Sequence, residues 1–136
     1  MSENSAIELH DSVFAHIAQR GERIEISLAP AYVHKSNGVP GVDAGTGWIQ
    51  NVTIVLEGGH VEGELPNLPC ELSDGMLIIR DQAFENEIPL PLDQDGPVLL
   101  RLDEMWSNRS ISFRGSRIVV TVLGEPKYVE QFPGAS

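Results

Sequence analysis

Apolar and polar residues alternate along much of this chain. Ile24-Glu25-Ile26-Ser27-Leu28 puts three aliphatic side chains on one side of a strand and two polar ones on the other. From Trp48 to Leu56 the same rhythm sets Trp48, Gln50, Val52, Ile54 and Leu56 on one face. Val98, Leu100 and Leu102 share a parity after a Gly96-Pro97 turn, and Ile111 and Phe113 alternate with Ser110, Ser112 and Arg114. Gly115-Ser116 then reads as a turn into Ile118–Leu123, so the two runs predict a hairpin. Met76–Ile79 is apolar on both faces, as in a central strand. Tyr128, Val129 and Phe132 read as a last short strand or a docked tail.

Two segments are less regular. Asp11–Arg20 fits a helix capped by Asp11 or Ser12 and stopped by Gly21. It also fits a strand with Val13, Ala15 and Ile17 inward. The strand is preferred, because a second strand follows after a turn-length gap. Residues 35–47 hold four glycines and a proline, which predicts a long mobile loop. Thirteen glycines and nine prolines separate the short runs. The expected fold is therefore all-β, an antiparallel sandwich or partly closed barrel of about eight or nine strands. A short N-terminal helix is the alternative for its opening. A single domain is expected over residues 1–136, with residues 1–6 and 133–136 as flexible ends.

Composition narrows the classes of function. Cys70 is the sole cysteine, which rules out an intrachain disulfide and the Cys-rich zinc patterns. Residues Met1–Ser5 do not begin a basic segment followed by an apolar one, and no apolar run approaches the roughly 20 residues of a membrane helix. A cytoplasmic protein with no membrane partner is expected. The formal net charge is −11, and residues 57–104 hold twelve of the acids against two bases, Arg80 and Arg101. That balance disfavours nucleic acid, whose binding needs a basic footprint. It suits a solvated face or a surface that attracts a basic protein. Glu62 with Glu64, and Glu85 with Glu87, share strand parity and are the candidates for a common acidic face.

Chemistry-bearing motifs are sparse. His10, His16, His34 and His60 have no zinc-protease spacing, and His10 with Asp11, or His34 with Asp43, can meet others only through folding. No metal ligand, cofactor or catalytic residue is assigned. Cys70 sits between Pro69 and Glu71, where a nearby acid opposes thiolate formation. The glycine-rich segment lacks the Gly-Lys-Ser/Thr ending of a phosphate loop, and Asp93-Gln94-Asp95-Gly96 lacks the closing glutamate of a calcium loop. One constellation remains. Tyr32 and His34 continue the parity of Ile24, Ile26 and Leu28. Asp43 lies in the loop that follows, and Trp48 and Gln50 open the next strand. Polar-tipped aromatics beside a loop at a sheet end are candidates for binding a ligand or partner.

The opening Leu9-His10-Asp11-Ser12, with an apolar strand, a short turn and a second strand at Ile24–Leu28, resembles small uncharacterised bacterial β-domains. Some of these travel with polymorphic toxins as candidate immunity proteins. The resemblance covers about 25 residues and implies a non-enzymatic, protein-binding, immunity-type inhibitor. The alternative is a small-ligand-binding β-barrel or cupin-like enzyme using the Tyr32–Gln50 region.

Overall fold

The computed structural model describes residues 3–134 and is all-β, with ten strands and no helix among those residues. In chain order they are β1 (Asn4–Glu8), β2 (Val13–Arg20), β3 (Arg23–Ser36), β4 (Gly45–Glu57), β5 (His60–Glu62), β6 (Cys70–Ile79), β7 (Gln82–Glu85), β8 (Glu87–Leu90), β9 (Leu92–Glu104) and β10 (Ser110–Phe132). Every pairing is antiparallel. β2 pairs with both β3 and β6, so the path β2–β3–β4–β10–β9–β6 returns on itself. The closing seam is only Val13 opposite Glu71 and Phe14 opposite Cys70. The result is a sandwich-like, partly closed barrel.

β3 leaves the ring halfway along its length. Arg23–Leu28 pairs with β2, and Tyr32–Ser36 pairs with β1. A bulge between Leu28 and Ala31 separates the halves, and Pro30 there has no N–H to give to a ladder. β8 then adds to the far side of β1, extending a second sheet beyond the ring.

The core fills the ring with side chains. Phe14, Phe113, Ile26, Ile54, Leu77 and Leu100 are fully buried, and Phe14 meets Phe113 edge-to-face with centroids 6.3 Å apart. Ile118, Val120 and Leu102 are buried as the alternation predicts, whereas Trp48 is only partly buried, against the edge of the core.

Several local expectations change. Asp11–Arg20 is not a helix: Val13–Arg20 is β2. A bulge between Phe14 and His16 shifts the parity, so Phe14, rather than Val13 and Ala15, is the fully buried residue, and Ile17 packs on the core. Ser110–Phe132 is one strand, not a hairpin, because Gly115-Ser116 forms a bulge opposite β9. Gly96 lies inside β9, and the loop after β3 shortens to residues 37–44, since β3 reaches Ser36 and β4 starts at Gly45. Of the expected flexible ends, Asn4, Ser5 and Ala6 pair with β3, while residues 1–2 and 135–136 lie outside the described residues.

Candidate functional site

The register of β3 on β4 divides the sequence-derived constellation. Val33 stands opposite Trp48 and Ala31 opposite Gln50, while Tyr32 faces Ile49 and His34 faces Gly47. Residues directly opposite on neighbouring strands share a face. Trp48 and Gln50 therefore lie on one side of the second sheet, and Tyr32 and His34 on the other.

On the first side, the Lys35 ammonium lies 4.8 Å from the Trp48 ring centroid, and Tyr128 packs on the indole with centroids 5.3 Å apart. The indole Nε1–H donates to Thr46 Oγ1 at 2.7 Å, and Gln50 Nε2 donates to the Gly124 carbonyl at 2.7 Å. Asp43 joins neither side. Its Oδ2 accepts from the Val39 amide at 2.7 Å and so caps its own loop.

The second side holds a tighter cluster. The Tyr32 hydroxyl donates to Glu130 Oε1 at 2.6 Å. Burial first, then the Glu130 hydrogen bond and charge, push its pKa well above the ordinary phenol value. It remains a donor throughout the neutral range. His34 lies between Tyr32 and Phe132, each ring centroid 5.0 Å away, with its Nε2 3.0 Å from Glu8 Oε2. Two glycines make the room. A Cβ on Gly47 would overlap the Tyr32 hydroxyl, and Gly41, at φ +81°, lies against the His34 ring. The open cleft beside this cluster has a volume of about 180 Å³ and is lined by Glu8, His34, Gly41, Val42, Asn86 and Glu87. Burial raises the Glu87 carboxyl above its usual range.

Sequence reasoning missed Glu8, Glu130 and Phe132. Glu8 stands opposite Tyr32 because β1 pairs with β3, and no strand is expected there from the sequence, where Asn4, Ser5 and Ala6 read as part of a flexible end. Glu130 is 98 residues from Tyr32, and no local spacing announces that contact. Cys70 is no activated nucleophile: burial, then the Glu104 charge, raises its thiol pKa.

The four acids singled out in the sequence lie in three places. Glu85, Met76, Arg101, Ser112 and Glu62 form one row across β7, β6, β9, β10 and β5. Glu85 and Glu62 thus share a face, separated by four strand spacings, roughly 19 Å. Arg114 Nε donates to Glu62 at 2.8 Å, and Arg101 stands in the row between the two acids. Glu87 lies instead on the second sheet, opposite Glu8, and Glu64 is exposed in the coil after β5. Comparison with family models, with curated proteins and with solved structures finds no match.

Proposed function

We propose that this chain is a non-enzymatic protein-binding module that receives an extended segment of a basic partner along the free edge of β10. The observation that carries this reading is the state of that edge. The β9 ladder on β10 ends at Val120 opposite Leu92, and from Thr121 onward β10 pairs only with β4. Its other edge has no partner among the described residues. Val122, Leu123, Tyr128 and Val129 are each about half exposed on this segment. Free strand edges template the addition of another strand, and clustered exposed apolar residues mark interaction sites. The interruption at Gly124-Glu125-Pro126 breaks the edge into two short runs, which limits indiscriminate pairing. The net charge of −11 favours a basic partner. An immunity-type inhibitor is the narrower form of the same reading, supported by the resemblance of the opening segment.

A photo-crosslinking residue placed at Val122 or Val129, with His60 and Asp81 as exposed controls, tests it in the native cell. The expected result is one defined protein adduct from the β10 positions only, lost when Lys127 and Tyr128 are both replaced by proline. The same adducts from every position, or a product made only of this chain, would overturn the reading.

A further inference from the structure

The turn from β1 into β2 brings three donor groups together. One oxygen of Glu8, one ring nitrogen of His10 and one oxygen of Asp11 all lie within 4.8 Å of one another. Protein ligands sit about 2.0–2.5 Å from a divalent ion, so two ligands of one ion are at most about 5 Å apart. The three groups already satisfy that limit. The turn is anchored from outside as well: the His10 amide donates to Asn86 Oδ1 at 2.7 Å, and Ser12 Oγ links the Glu8 carbonyl to the Tyr32 amide.

A second observation comes from β3. His34 is only 9 % exposed, and its Nδ1 is buried with no hydrogen-bond partner among the described residues. Its one polar contact runs from Nε2 into the cluster, to Glu8 Oε2 at 3.0 Å. With the ring proton on Nε2, His34 donates to Glu8 Oε2 and fixes its orientation. The orphaned nitrogen is then a bare lone pair rather than an unpaired donor. Ligating carboxylates are held in this way by an outer group at metal centres. Glu87, opposite Glu8 in the β1–β8 ladder, adds negative potential.

We propose that Glu8, His10 and Asp11 bind a first-row divalent cation, with His34 as the positioning residue for Glu8. An imidazole with two carboxylates suits Zn²⁺ or Mn²⁺, whereas Ca²⁺ takes oxygen ligands. The His10 and Asp11 side chains are 46 % and 53 % exposed, so water completes the coordination. This site lies on the second sheet, and its test is independent of the partner-binding edge of β10.

Calorimetric titration of the untagged full chain with ZnCl₂ and MnCl₂, with CaCl₂ as comparison, tests the site. The expected result is one equivalent of Zn²⁺ or Mn²⁺ bound in preference to Ca²⁺, with a rise in the thermal midpoint. Asp11→Asn and His10→Ala, both at exposed positions, should each weaken binding at least about 10-fold. His34→Gln should weaken it less than His10→Ala does, and His60→Ala should leave it unchanged. Mn²⁺ should broaden the proton resonances of His10 before those of His60. Binding that survives both Asp11→Asn and His10→Ala, or no binding to wild type below millimolar ion, would overturn the proposal. Equal broadening of all four histidines would do the same.

Discussion

Tyr32 and Glu87 show how position on the second sheet sets the state of a single group. Both lie on the face that carries Glu8, one to either side of it in the ladder. Tyr32 keeps its proton because the phenol is buried and bonded to Glu130. Glu87 is a half-buried carboxyl, and loss of water raises its pKa. The folded chain therefore holds that proton more tightly than the unfolded chain. The stability this group contributes is full below the ordinary carboxylate value and is lost as pH rises through the raised one. Glu87→Gln removes the cost of the charged form, so it should raise the thermal midpoint at pH 7 and change it little at pH 3. Melts recorded in chelator at both values check this, and a shift of equal size at the two would refute the assignment to ionisation.

Strands and their edges explain most of the architecture. β9 buries Val98, Leu100 and Leu102, and Leu100 stands opposite Leu77 on one side and Phe113 on the other. Leu100→Ala should cost about 2–5 kcal/mol, since close-packed neighbours on both flanking strands cannot collapse into the space. Denaturant unfolding measures it, and an unchanged midpoint would mean that this face does not carry the core. The alternation that reveals this strand is legible in the sequence, as are the buried parities of Ile24–Leu28 and Val52–Leu56. The joins are less legible. Gly115-Ser116 has turn chemistry, yet strands flank β10 on both sides of it: β9 and β5 before the bulge, β4 and β9 after it. Those ladders hold the chain extended, and the bulge absorbs the extra residue. In the same way Tyr32, His34, Trp48 and Gln50 are all visible as a group, but their division between two faces depends on the β3–β4 register. Contacts to Glu8 and Glu130 depend on pairings between distant segments, which no local pattern encodes.

Charge acts at the scale of the whole molecule. Residues 57–104 carry most of the net −11, but the strands that hold them run through the ring and into the second sheet. Arg114 offsets Glu62, and Arg117 gathers Asp93, Asp95 and Glu57 within 3.9 Å. The acids therefore shape the long-range field more than they form one contact patch. Long-range attraction sets the association rate and is screened by salt over a Debye length of about 10 Å at 0.1 M. Reversal of Glu62, Glu64, Glu85 and Glu87 to lysine changes the net charge by eight, from −11 to −3. Reversal of Glu22, Glu71, Asp81 and Asp95, all exposed, does the same from positions away from the β10 edge. If the field of the whole chain steers a basic partner, both variants should slow its association with wild-type protein's β10 partner by a similar factor at low salt. The difference from wild type should shrink as ionic strength rises. Stopped-flow association at about 50 mM and about 300 mM salt reads both effects. A loss confined to the first variant would make those four acids a contact surface in spite of their separation. Rates that ignore both salt and reversal would leave the acids with a solvating role only, and would remove the electrostatic support for a basic partner while leaving the edge of β10 to be judged by its own crosslinks.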